Sequence, residues 1–167
     1  MIPATGLSDR FWRIVFAEHA DTLLAGARHP EGRFHHEGQP VLYLSPTPQA
    51  AGFAIDAYLS ADNRPRQLIP LDIRGARVCD LRDRATCAAL GIDPVWPSAP
   101  WLPERAQGLP ATSWRASDAV RAAGSDGMIY ASRTQPSRWH LVLFRWNERV
   151  GPKVEKAGPG SAFPPKQ

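Results

Sequence analysis

Apolar side chains in this chain come in short runs separated by glycine, proline and polar clusters, a spacing that predicts mixed strands and helices. After a polar lead, residues 1–10, the segment Phe11–Phe16 is rich in strand formers and reads as the first strand. A short helix over Thr22–Ala25, capped by Asp21, should end near Gly26. The run Val41–Leu44, entered from Gly38-Gln39-Pro40 and left at Pro46, reads as a buried strand. Thr47 before Pro48 is an N-cap with proline at the first helical position, so a helix is predicted from Pro48 to about Leu59. Its first half, Ala50-Ala51-Gly52-Phe53-Ala54, has small side chains that suit close packing on a sheet. Arg66–Ile73 reads as a strand whose Pro70 marks an edge or bulge, and Val78–Leu81 continues the sheet after a turn at Gly75. Asp83 caps a helix over Arg84–Leu90 that Gly91 closes. Residues 92–110 are proline-rich and carry Trp96 and Trp101, which predicts an ordered surface loop with room for one helical turn. A helix over Trp114–Ala123, then strands Gly127–Ser132 and Trp139–Trp146, complete the pattern.

Beyond Val150 the composition turns to Gly, Pro, Lys and Ser, which predicts a flexible tail over 151–167 and a single domain over 11–150. The elements show too few regular strand–helix units for a doubly wound sheet. They predict an α+β fold with a central, mostly antiparallel sheet and packed helices.

Composition adds boundaries to this picture. The chain has 167 residues, 43% hydrophobic and 22% charged, enough for one domain with a core. A net charge of +4 and a pI near 9.5 favour anionic partners. The basic residues are dispersed and no nucleic-acid recognition motif is present, so a nucleotide-sized anion fits the charge better than nucleic acid. Cys79 and Cys87 match no metal or redox spacing and read as reduced thiols. No run approaches a membrane span and no basic-apolar signal opens the chain, so a cytoplasmic protein is expected. P-loop, dinucleotide-fingerprint, zincin and serine-hydrolase motifs are absent, and adjacent His35 and His36 would face opposite ways on a strand, so no metal is expected.

Two places carry candidate chemistry. Arg13 lies inside an apolar strand, where a guanidinium either snorkels to solvent or meets an anion. The glycine-bounded loop Gly32–Gly38 brings Arg33, His35 and His36 directly into a core strand containing Tyr43. Taken singly, Arg13 and Arg33 could equally pair with Asp80 or Asp126, Ser132 could cap a turn, and Tyr43 could be core.

Read together, these segments resemble the RES-domain family, named for its arginine, glutamate and serine. Trp12-Arg13-Ile14 is similar to the strand that opens those domains. Gly32-Arg33-Phe34 followed by Gly38-Gln39-Pro40-Val41-Leu42-Tyr43-Leu44-Ser45 resembles the family's arginine segment. Asp126-Gly127-Met128-Ile129-Tyr130-Ala131-Ser132-Arg133 and Leu141-Val142-Leu143-Phe144 look like its later segments, in family order over 11–146. The resemblance implies an ADP-ribosyltransferase-like fold. It also implies a toxin of a bacterial toxin–antitoxin pair, acting on NAD⁺ by glycosidic cleavage or ADP-ribosyl transfer to water, phosphate or a protein acceptor. A small antitoxin with a helix-turn-helix domain is the implied partner. Arg33 would match the family arginine and Ser132 the family serine, with Arg13 and Tyr43 lining the same NAD⁺ pocket. Arg33, Tyr43 and Ser132 are thus the implied catalytic set. Paired arginines suit bidentate contacts to a pyrophosphate.

One departure accompanies the match. Counting on from Leu42 places the family glutamate at Ala54, and no Asp or Glu occurs between Glu37 and Asp56. Glu37 or Asp56 could serve instead, catalysis could be altered and slow, or the chain could be a RES-like module that binds a nucleotide or an antitoxin without turnover.

Overall fold

In the computed structural model, residues 2–59 and 63–164 are described. β1 (Ala4–Phe16) leads through a 3-10 segment (Ala17–Ala25) and a long loop to β2 (Leu42–Leu44) and α1 (Pro48–Leu59). β3 (Arg66–Asp80) is followed by α2 (Arg84–Ala89), a 3-10 turn (Trp96–Ser98), α3 (Trp101–Ala106) and α4 (Thr112–Ala122). β4 (Gly127–Ala131), β5 (Trp139–Leu143), β6 (Lys153–Lys156) and β7 (Ser161–Phe163) end the chain.

The seven strands form one sheet in the order β1-β3-β4-β5-β2, with β6 and β7 both paired to β3. Only β3 and β4 run parallel; the other pairings are antiparallel, as the pattern predicts. An isolated bridge between Trp12 and Ser45, with N–H···O distances of 2.7 and 2.9 Å, joins the end of β2 back to β1. That bridge brings the two ends of the strand order together and places Arg13 beside Tyr43.

Both faces of the sheet are covered. Phe11, Leu42, Leu44, Ile69, Leu71, Ile129, Leu141 and Leu143 pack with Ala20 and Leu23 of the 3-10 segment on one face. On the other, Phe34, Val41, Cys79, Met128, Tyr130 and Val142 meet Cys87 of α2 and Ala116 and Val120 of α4. Burial on two faces accounts for the uninterrupted apolar run at 41–44, because alternate side chains serve different cores.

Local chemistry explains the helices. The Thr47 hydroxyl accepts the Ala50 N–H at 3.0 Å and starts α1 at Pro48. Asp83 accepts from Ala85 N–H at 3.0 Å and Thr86 hydroxyl at 3.1 Å, and Gly91 follows α2 at φ +68°. The small residues of α1 make room for the C-terminal strand: a Cβ at Gly52 would lie 3.4 Å from the Phe163 ring.

Four expectations are corrected. The polar lead is strand from Ala4 onward, and the 3-10 segment begins at Ala17 rather than near Thr22. The turn expected at Gly75 is a bulge inside one continuous strand: β1 slips register between Leu7 and Asp9, and Ser8 Oγ accepts Gly75 N–H at 2.9 Å. Gly75 has φ +71°, which a bulge of this kind demands. The flexible tail does not hold for 153–163, where β6 and β7 pair with Leu71–Arg74 and Arg66–Leu68 of β3; residues 165–167 lie outside the described residues. Pro70 sits where these two partners change over. Its carbonyl accepts Ala157 N–H at 2.9 Å, so its missing N–H faces the gap between β6 and β7, where no ladder bond is needed. No described helix is long and apolar enough to cross a membrane.

Candidate functional site

Arg13 reaches from β1 towards the end of β2, where its Nη1 donates to the Tyr43 carbonyl at 2.8 Å. Its Nε is sealed from solvent with no hydrogen-bond partner. Burial holds the guanidinium below its ordinary pKa, and the groups that act on it electrostatically are the phenols of Tyr43 and Tyr130 rather than a carboxylate.

Arg33 is carried by a loop that the rest of the fold pins from two sides. From the sheet, Tyr43 Oη accepts the Phe34 N–H at 3.0 Å and lies 2.8 Å from His35 Nδ1. His35 Nε2 faces the His29 carbonyl at 2.8 Å. A carbonyl only accepts, so Nε2 carries the proton and Nδ1 accepts from the Tyr43 hydroxyl. Burial lowers the His35 pKa and raises that of Tyr43, keeping both neutral, as this chain of bonds requires. From α4, Trp114 Nε1 donates to the Gly32 carbonyl at 2.8 Å and the Ser113 hydroxyl donates to the Arg33 carbonyl. His36 stacks on Trp114 at 4.5 Å and bonds Asp118 at 2.8 Å, while Gln39 reaches the same carboxylate at 3.3 Å. Gly32 is required by close approach: a Cβ there would sit 2.5 Å from the His35 ring and 3.1 Å from Tyr43 Oη.

The loop so held sets Phe34, fully buried, edge-on to Tyr130 at 4.6 Å. Burial pushes the Tyr130 phenol up to about 12, against the opposing pull of Arg33 and Arg13. Across the β4–β5 ladder Tyr130 is registered with His140, and their rings lie 5.7 Å apart. His140 Nδ1 is 3.0 Å from Ser45 Oγ at the end of β2. Desolvation, then Arg33 and Arg138, hold the His140 imidazole down to about 4. Thus Ser45, His140 and Tyr130 form a row across three strands, with Arg13 and Arg33 acting upon it.

Among the predicted site residues, the structure brings Arg13, Arg33 and Tyr43 together. Tyr43 differs from the expectation in one respect: its hydroxyl is taken up by the Arg33 loop, so it positions that arginine. Ser132 follows the end of β4, its N–H bonded to the Arg138 carbonyl at 2.8 Å. Among the described residues its hydroxyl has no hydrogen-bond partner, and it contacts neither Arg33 nor Tyr43 through one.

The carboxylates lie elsewhere. Asp80 is held by Arg82 at 2.8 and 2.9 Å; Asp126 is held by Arg145 at 2.5 Å and by Arg77 N–H at 2.8 Å. Neither pairs with Arg13 or Arg33. Ala54 and Asp56 are exposed on α1, and Glu37 is exposed at φ +54°, within 3.9 Å of His36. Among the described residues, no group of three or more His, Cys, Asp or Glu side chains is placed to hold a metal ion.

The sequence alone assigned no role to Ser45 or His140. Ser45 and His140 are 95 residues apart and meet because β2, which Ser45 follows, pairs with β5, the strand that carries His140. The β5 register was the signal that would have found them.

A family model described as the RES domain matches residues 10–165, which takes in nearly all of the sheet, including β6 and β7. No curated protein matches the chain significantly. Among solved structures, a chain of the M. tuberculosis MbcT–MbcA toxin–antitoxin complex superposes with a TM-score of 0.66 at 19% identity, over 96% of this chain and 86% of that one. At that identity the likeness is one of fold. With the family match spanning the site and nearly all of the sheet, the chain belongs to the RES domain family.

Proposed function

We propose that this protein is the toxin-like member of a toxin–antitoxin pair and acts on NAD⁺ with an ADP-ribosyltransferase-like site, cleaving the nicotinamide glycosidic bond or transferring ADP-ribose. The observation that carries the reading is the convergence of two arginines, Arg13 and Arg33, on one buried tyrosine with no carboxylate acting on it. Two such cations make a net positive patch that a pyrophosphate would neutralise, and a guanidinium such as that of Arg33 suits bidentate contact to its oxygens. Tyr43 and α4 hold Arg33 in place, so the grip is pre-formed and little ordering is required when the ligand enters. Ser132, its hydroxyl without a hydrogen-bond partner among the described residues, is available to orient the ligand at the strand end. The toxin–antitoxin complex with the same fold supports an antitoxin partner, and a small helix-turn-helix protein is the form proposed.

The test is NAD⁺ consumption by the purified chain, compared with Arg33→Ala and Ser132→Ala. Wild type should release nicotinamide; Arg33→Ala should lose about a hundredfold or more of kcat/KM, as expected for removal of a charge-assisted contact. A wild type that neither binds nor consumes NAD⁺ overturns the reading. A second reading, a RES-like module that holds nucleotide without turnover, is favoured by the exposed Ala54 in place of an acid. Tight ADP-ribose binding without nicotinamide release would select it.

A further inference from the structure

We infer that His140, held by Ser45, serves as the general base of this site, in the place a carboxylate would occupy. The inference rests on the NAD⁺ reading and extends it to the proton that the reaction must move. Cleavage breaks the bond between ribose C1′ and the pyridinium nitrogen, and its electron pair leaves with nicotinamide as a neutral ring. Water adds to C1′ through an oxocarbenium-like state and must lose one proton. The products are nicotinamide, ADP-ribose and that proton, which His140 Nε2 accepts and returns to solvent.

Three observations carry it. His140 is the histidine of the row, and Tyr130 from β4, Ser45 at the end of β2, Arg33 from the loop before β2 and Arg138 from its own hairpin act on it. Arg13 from β1 acts on the same Tyr130. None of these groups is an acid. Nδ1 is engaged by Ser45 Oγ at 3.0 Å, and among the described residues Nε2 has no partner, so it is the ring nitrogen available to a ligand. The exposed positions of Ala54, Asp56 and Glu37 leave no carboxylate of the described residues competing for the role. Burial, then the neighbouring arginines, keeps the imidazole neutral, hence able to accept a proton, and an anionic pyrophosphate across the arginines would raise its basicity when substrate is bound. Ser45 is a positioning residue, since it acts through the imidazole.

The experiment measures NAD⁺ hydrolysis by the full chain from acidic to neutral pH for wild type, His140→Gln and Ser45→Ala, with ADP-ribose binding by calorimetry on the same samples. His140→Gln should lower kcat by about a hundredfold, with KM and ADP-ribose affinity changed by no more than about threefold, and should abolish the acidic limb of the rate profile. Ser45→Ala should lower kcat less and displace that limb. Thermal unfolding checks that each variant is folded; should the glutamine variant not fold, Ser45→Ala supplies the same pH readout with the imidazole in place. Retention of kcat and of the acidic limb in the folded variants overturns the inference, as does a fall in kcat matched by an equal loss of ADP-ribose affinity. A wild type that binds ADP-ribose without turnover also overturns it while leaving nucleotide binding intact; failure to bind removes the NAD⁺ reading as well.

Discussion

His140 shows how one buried side chain ties the candidate site to the stability of the fold. Its folded-state pKa is lowered to about 4 from an ordinary 6.5, first by burial and then by Arg33 and Arg138. The sign follows from proton binding. Between these two values the unfolded chain binds a proton that the folded imidazole refuses, so folding weakens as pH falls from about 6.5 towards 4 and the loss levels off below that. At 1.36 kcal/mol per unit, this histidine alone removes up to about 3 kcal/mol over that interval. His140→Gln should therefore show a shallower fall in denaturation midpoint between neutral and mildly acidic pH than wild type. Equal slopes for the two proteins would show that the imidazole is not held neutral. Residues at this scale differed in how far sequence revealed them. Arg13, Arg33 and Ser132 stood out because motifs fix residue type and order. The positioning role of Tyr43 did not, because its hydroxyl meets Phe34 N–H and His35 only after the loop has folded back on β2. Gly32 looked like a loop boundary, whereas its place is set by the His35 ring and Tyr43 hydroxyl that a Cβ would strike.

At the scale of elements, local chemistry was legible and pairing was not. α1 begins at Pro48 and α2 follows Asp83 because capping atoms lie within three residues of the N–H groups they satisfy. β6 and β7 carry no such signal: polar, glycine- and proline-flanked segments become strands because β3 offers an edge over Arg66–Arg74. β3 in turn reads as two pieces in sequence and is one strand in the structure, since Gly75 bulges without interrupting the ladder to β1. This places β6 and β7 on β3, the long strand that pairs with both β1 and β4. Val154, 3% exposed, packs with Ile73 and Leu71 in the main core, and Asn147 bonds both backbone groups of Val154 at 2.8 and 2.9 Å. Ending the chain after Arg149 should thus unpair this edge of β3 and strip a core residue. The expected outcome is loss of a cooperative thermal transition, or a fall of several kcal/mol in stability, read by calorimetry or urea titration. A truncated chain that unfolds like the full one would return 151–167 to the status of a dispensable tail.

Across the whole molecule, the sheet's closure is what concentrates charge without counter-charge. The Trp12–Ser45 bridge turns the ends of the strand order towards each other, and the arginine of β1 arrives beside the strand that anchors the arginine of the loop. Four other arginines have carboxylate partners: Arg10 with Asp72, Arg82 with Asp80, Arg105 with Glu31 and Arg145 with Asp126. Arg13 instead has a sealed Nε without a hydrogen bond and a guanidinium held below its ordinary pKa by burial. An uncompensated buried charge costs the fold and is retained where function needs it, so the folded state gains little from this residue until an anion arrives. Arg13→Met, which keeps the apolar stem and removes the charge, gives up one hydrogen bond to the Tyr43 carbonyl, a loss of about 1 kcal/mol, and relieves a desolvated cation. Its unfolding temperature should lie at or above that of wild type. Wild type should gain about 2.7 kcal/mol from ADP-ribose at a hundredfold excess over Kd, a gain the methionine variant should lack. Opposite results, with the variant strongly destabilised and still stabilised by ADP-ribose, would make Arg13 a strut of the β1–β2 junction and leave Arg33 as the anion's principal contact.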